Sequence, residues 1–195
     1  MSPPDRLRRA LAAVAAALSA LPARSMLIGG LAVVLHGIAR LTRDIDVTVA
    51  AGEVPLSELF ATFARHGIVP RISDAQSFAQ ANQVLLLEHE PTGVEVDVSL
   101  GWLPFELQAL ERAQRMSAGG IELPVASPED LVVYKFTAFR PQDQQDIERL
   151  LALHGHRMDL ARVRSLAREI ARVLEEPERF AQLQRWIADL ERPGP

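Results

Sequence analysis

The segment Leu41-Thr42-Arg43-Asp44-Ile45-Asp46-Val47-Thr48-Val49 sets two carboxylates two residues apart in a run that alternates polar and apolar side chains. Side chains alternate faces along a strand, so the spacing predicts a strand over residues 43–50. Ile45, Val47 and Val49 then face a core, and Asp44, Asp46 and Thr48 share the other face. Two carboxylates so placed repel each other unless a cation, an arginine or a proton intervenes. A hard divalent cation, Mg²⁺ or Mn²⁺, is suited to this, because it takes carboxylate oxygens and keeps positions open for phosphate. Val94, Val96 and Val98 alternate with Glu95 and Asp97 in the same way. Set beside the first strand, this one brings Asp97 next to Asp44 and Asp46. Three such carboxylates can hold two metal ions about 3.5–4 Å apart, the arrangement used for in-line attack at phosphorus. An ordinary solvated acidic face would show the same alternation, and Glu95 shares the face of Asp97, so the identity of the third acid stays open.

Gly29-Gly30 falls between a short apolar run, residues 25–28, and a segment that reads as a helix over residues 31–38. Paired glycines there let the backbone approach a ligand closely, and a helix N-terminus offers free N–H groups to an anion. A tight strand-to-helix turn would need the same glycines. The spacing matches neither a Walker loop nor a dinucleotide fingerprint. Arg40 and Arg43 flank the aspartates and serve either to neutralise phosphate or to relieve the carboxylate repulsion.

The elements that position these residues follow from periodicity. Leu7, Leu11, Val14, Leu18 and Leu21 form one apolar stripe, which with the intervening alanines predicts a helix rather than a signal peptide. Further helices are expected over residues 55–66 and 104–113. Strands are expected over 69–72, 83–89 and 93–100, with a hairpin from 114–117 and 121–125 turning at Ala118-Gly119-Gly120. Ser127-Pro128-Glu129-Asp130 is a helix start: a serine cap, a proline in the first turn and acids at the positive end. From there the chain reads as all helix, to about residue 140, then from Pro141, over 159–175 and over 178–190. The change of class near Ala126 divides an α/β core, residues 1–126, from a helical segment, residues 127–195, expected to pack over the active-site cleft.

Composition narrows the chemistry. The chain has 195 residues, a net charge of -4 and no cysteine, which excludes disulfides, cysteine zinc sites and thiol catalysis. Its hydrophobic fraction of 48% is that of a folded globular protein, expected to be cytoplasmic, and no segment predicts a membrane span. Of 21 Lys and Arg residues, Lys135 is the single lysine, which points to a need for a compact ammonium that arginine cannot mimic. Arg140, Asp143 and Asp146 share a helix face. Helix-dipole stabilisation of first-turn acids is the plain explanation for the two aspartates. His154-Gly155-His156 reads better as a helix end than as a metal site. Arg164, Arg168 and Arg172 form a stripe opposite Leu160, Val163, Ile170 and Val173, either a solvated face or a surface for an RNA backbone.

Taken together, Ile28-Gly29-Gly30-Leu31, Arg40 to Asp46 and Val96-Asp97 resemble the nucleotidyltransferase superfamily. Pro124 to Leu131, Lys135 and Arg140 to Ile147 narrow the resemblance to AbiEii/MenT-type toxin nucleotidyltransferases and their uncharacterised relatives, over residues 22–154. The resemblance implies an α+β fold: a polymerase-β-like palm with a mixed sheet and flanking helices, followed by the helical segment. It implies that Gly29, Gly30, Arg43, Lys135 and Asp146 bind the nucleotide triphosphate. Asp44, Asp46 and Asp97 would hold Mg²⁺ or Mn²⁺, with Asp97 as base for the incoming hydroxyl, and either Asp143 or Asp146 would line the cleft. Many relatives carry serine where this chain has Gly30. The implied activity is transfer of NMP from an NTP to a hydroxyl of a tRNA 3′ end or a protein, by the toxin of a toxin–antitoxin pair with an antitoxin partner. Aminoglycoside and lincosamide nucleotidyltransferases share the glycine pair and the Asp-x-Asp core, which makes an antibiotic the alternative acceptor. A degenerate binding module is the non-enzymatic alternative.

Overall fold

Alternate Val, Ile and Leu residues build the sheet of this protein. The structure, a computed structural model, describes residues 3–191. The described residues divide into one unit of residues 3–35 and 39–126 and a second of residues 36–38 and 127–191. In the first unit the described elements are α1 (Pro3–Ala20), β1 (Ser25–Ile28), α2 (Gly29–Leu35), β2 (Ile45–Ala50), α3 (Leu56–Arg65), β3 (Ile68–Pro70), α4 (Ala75–Asn82), β4 (Val84–His89), β5 (Val94–Gly101), α5 (Pro104–Arg112), β6 (Gln114–Ala118) and β7 (Ile121–Val125). The strands form a seven-stranded sheet ordered β3-β4-β5-β2-β1-β7-β6. The β2/β5 and β1/β7 pairs are parallel and the others antiparallel.

The expected core face is present. Ile45, Val47 and Val49 are fully buried, as are Val96 and Val98 beside them on β5. Leu11, Val14, Leu18 and Leu21 of the N-terminal stripe are buried too, where α1 packs against α3, β5 and β7. Boundaries shift for local reasons. The helix expected over 31–38 is α2, which ends at Leu35 because Gly37 takes a φ of +91°. Strand β2 begins at Ile45 rather than residue 43, because its neighbour β1 ends at Ile28, opposite Asp46. Helix α4 has no counterpart in the sequence reading. Its buried residues are Ala75 and Ala79, too small to make a visible apolar stripe.

The second unit contains α6 (Pro128–Ala138), α7 (Pro141–His154), a 3₁₀ turn (Gly155–Arg157), α8 (Leu160–Val173) and α9 (Pro177–Glu191). Ser127 caps α6 as expected, accepting from the Asp130 amide at 3.2 Å. Helix α6 buries Leu131, Val132, Val133 and Phe136 against its neighbours α7 and α8. Asp130 does more than favour the helix dipole. It is 1% exposed, accepts from the Ser127 hydroxyl at 2.7 Å and pairs with Arg162 of α8 at 2.6 Å. The buried face of α8 is Val163, Ala167 and Ala171. Val173, expected on that face, is 71% exposed. Arg168 of the arginine stripe stacks over the Phe180 ring, 5.3 Å from its centre. His154 Nε2 donates to the His36 carbonyl at 2.9 Å, as a helix-end histidine would.

Two outcomes follow for stability. Arg162→Ala removes the guanidinium from a buried carboxylate and should cost roughly 3 kcal/mol in urea denaturation. A loss below about 1 kcal/mol would assign the pair a minor part. His89 is buried on β4 with Nδ1 2.8 Å from the Thr92 hydroxyl. Burial, and then the charge of Arg9, holds its imidazole below the ordinary value of 6.5. The unfolded chain therefore takes up this proton first. The His89 contribution is complete above about pH 6.5 and is lost as pH falls below it. The melting temperature of wild type should fall between pH 6.5 and 5, and that of His89→Asn should fall less. Parallel curves would contradict the assignment.

Candidate active site

The parallel pairing of β2 with β5 sets Asp46 directly against Asp97, on one face of the sheet. Glu95 lies two residues earlier on β5, with a side chain 61% exposed against 35% for Asp97. The acid brought next to Asp46 is thus Asp97. Beyond this pair the same face is closed. Thr48 is fully buried, and a Cβ on Gly101 would come within 2.8 Å of its methyl group and 3.4 Å of Glu106 on α5. The acids stand at the open end of a face that α5 covers.

On the other side of Asp46, β1 ends at Ile28 and the chain turns at Gly29. Gly29 has a φ of +65°, and a Cβ there would lie 1.9 Å from Asp46 Oδ2. The carboxylate of Asp46 crosses the Gly29 backbone, so glycine is required both by conformation and by space. A Cβ on Gly30 would meet the Thr42 hydroxyl at 2.8 Å and the Arg40 guanidinium at 3.0 Å. The Thr42 and Arg40 side chains thus lie against this glycine, and a serine here would require them to shift. Thr42 also donates to Asp44 Oδ1 at 3.0 Å, which tethers an otherwise exposed carboxylate. Arg43 is exposed beside it.

Asp97 has a partner that the sequence does not announce. Arg71, one residue beyond β3, donates from Nη1 to Asp97 Oδ1 at 2.6 Å and to the Leu87 carbonyl at 2.9 Å. It also stands 3.7 Å from Glu95. Strand β4 lies between β3 and β5, so the contact depends on register across three strands and no local motif encodes it.

Among the described residues, no group of three or more Asp, Glu, His or Cys side chains could by itself hold a metal ion. The Asp46/Asp97 pair nonetheless suits Mg²⁺ or Mn²⁺. Magnesium is commonly held by one or two carboxylates with substrate phosphates and water completing its shell.

In the second unit, Lys135 is 9% exposed, with Nζ 2.7 Å from Asp143 Oδ1 and 3.1 Å from Asp146 Oδ2. Both acids are buried on α7, and Asp143 also closes a capping box at the Arg140 amide, at 3.2 Å. The three residues singled out by composition and spacing form one cluster. Lys135 thus ends in a compact ammonium set between two carboxylates.

The family model described as nucleotidyltransferase of unknown function (DUF6036) matches residues 6–192, and the chain belongs to this family. No curated protein matches the sequence. The fold is similar to that of the antibiotic-resistance factor ANT(2″)-Ia in solution, with a TM-score of 0.56 and 17% identity over 89% of this chain and 94% of that one. It is similar to the same factor in complex with adenylyl-2″-tobramycin, with a TM-score of 0.54 and 17% identity over 86% and 96%. A protein from H. pylori described as a nucleotidyltransferase gives a TM-score of 0.52 and 14% identity over 94% and 92%. At such identities the likeness establishes the fold: the mixed sheet with flanking helices is that of nucleotidyltransferases. No described helix is long and apolar enough to cross a membrane.

The Gly29 geometry gives a direct test. Gly29→Ala should destabilise the protein by about 1–2 kcal/mol from the left-handed backbone alone, and by more from the collision with Asp46. The additional loss should shrink when Asp46 is also alanine. A cost independent of residue 46 in denaturation curves would contradict the steric account.

Proposed function

We propose that this nucleotidyltransferase transfers NMP from an NTP to an acceptor hydroxyl with Mg²⁺ or Mn²⁺, and that Asp44, Asp46 and Asp97 are its acidic centre. The observation that carries the reading is the register of Asp46 against Asp97, with Gly29 kept clear beneath the Asp46 carboxylate. The acceptor oxygen attacks the α-phosphorus, the bond to the β-phosphate oxygen breaks, and pyrophosphate leaves. A divalent cation bound by the acids supplies charge stabilisation for the nucleophile and for the leaving pyrophosphate. Asp97 takes the hydroxyl proton. The Gly29 and Gly30 backbone, Arg43, Lys135 and Asp146 are assigned to the nucleotide on the resemblance described above.

We assign the acceptor to a tRNA 3′ end or a protein hydroxyl, and the role to the toxin of a toxin–antitoxin pair with a protein antitoxin. The resemblance of Pro124 to Leu131, Lys135 and Arg140 to Ile147 to the AbiEii/MenT type supports this. So does a cavity of about 820 Å³ walled by Leu31, Val34 and Leu41, with Arg6, Arg40 and Arg43 around it and no Asp or Glu among the described residues lining it. Such a wall favours an anionic acceptor over a polycationic antibiotic. The fold shared with ANT(2″)-Ia keeps an aminoglycoside as the second reading.

Calorimetry should show NTP binding that requires Mg²⁺, since acids without a cation repel triphosphate. Binding to no NTP would overturn the enzyme reading and favour a degenerate module. Asp44→Asn with Asp46→Asn should abolish transfer while leaving stability unchanged or slightly raised, because like charges are removed. Incubation with labelled NTP and either bulk tRNA or tobramycin separates the acceptors: labelled RNA supports the first reading, and labelled tobramycin the second. Lys135→Arg should recover only part of wild-type transfer. Full activity would remove Lys135 from the nucleotide site.

A further inference from the structure

Arg71 is absent from every motif described above, yet it is the residue on which Asp97 rests. Its backbone amide donates to the Leu86 carbonyl at 3.1 Å and its Nη1 to the Leu87 carbonyl at 2.9 Å, so both ends of the residue are fixed to β4. Its side chain is only 22% exposed. The second hydrogen on Nη1 goes to Asp97 Oδ1 at 2.6 Å. A guanidinium held by the Leu87 carbonyl, on a backbone itself bonded to Leu86, does not depend on the carboxylate alone for its position. It sets the position of the carboxylate.

Arg71 faces Asp97 and, at 3.7 Å, Glu95, while Asp46 is paired in register with Asp97. The guanidinium thus meets two carboxylates, and it engages Asp97 through Oδ1.

We propose that Arg71 is a positioning residue of the acidic centre: by holding Asp97 through Oδ1 from β4, it fixes the carboxylate so that Oδ2 can share a divalent cation with Asp46. The inference rests on the metal-dependent reading of the site. Residues that orient a metal ligand from behind commonly change metal affinity by about 10–100-fold when removed.

The test is titration of the full chain with Mn²⁺ in the absence of nucleotide, followed by electron paramagnetic resonance of the free ion. Arg71→Ala should weaken Mn²⁺ binding about tenfold or more. Arg71→Lys should fall between, because a point charge replaces a fixed fork. Asp97→Asn should weaken binding comparably, and adding Arg71→Ala to it should cause little further loss, since both changes act through the same carboxylate. Arg71→Gln, which retains a donor for the Leu87 carbonyl, repeats the test if Arg71→Ala unfolds. Unchanged or tighter Mn²⁺ binding in a folded Arg71 variant would overturn the proposal, tighter binding making Arg71 a competitor of the metal. A wild-type protein that takes up no Mn²⁺ would overturn the metal reading as well, a failure visible before any Arg71 variant is compared.

Discussion

Asp46 and Asp97 carry like charges on adjacent parallel strands, and the surrounding structure is arranged around that repulsion. Their register is fixed by the apolar face beneath, where Ile45 and Val47 pair with Val96 and Val98 at full burial. A slip of one residue would turn every one of these side chains to the opposite face. The hydrophobic core thus holds two acids together that would otherwise move apart. Arg71 relieves part of the repulsion from one side, and Gly29 gives the Asp46 carboxylate room on the other.

The same constraint explains the loop before β2. With Gly29 and Gly30 lacking side chains, Arg40 and Thr42 approach the first turn of α2, and Thr42 holds Asp44 by a hydrogen bond. The helical unit shows another solution to concentrated charge. There Asp143 and Asp146 are buried around Lys135, and Asp130 around Arg162. In that unit, as at Asp97 with Arg71, the cations that meet the acids belong to the chain.

Features encoded by local periodicity were legible without a structure. The strand around Ile45, Val47 and Val49, the N-terminal stripe and the Ser127 cap all follow from spacing a few residues long. The Gly29 turn was legible as a need for glycine, but the reason for it, the Asp46 carboxylate above the backbone, required tertiary placement. Helix α4 escaped because alanine is its buried residue type. Arg71 escaped because its partner lies across β4. Asp143 and Asp146 were seen to share a helix face, but not that they enclose Lys135, since residues eight and eleven positions apart meet only when α6 and α7 fold together.

The central claim is that the Asp46/Asp97 pair is a cation site for a nucleotide. A crystal of the protein grown with Mn²⁺ and a non-hydrolysable NTP, measured at the manganese edge, addresses it directly. The account predicts an anomalous peak within about 2.0–2.3 Å of carboxylate oxygens of both Asp46 and Asp97, bridged to the triphosphate. Bound nucleotide with no manganese between these two side chains, or manganese held elsewhere in the chain, would contradict it.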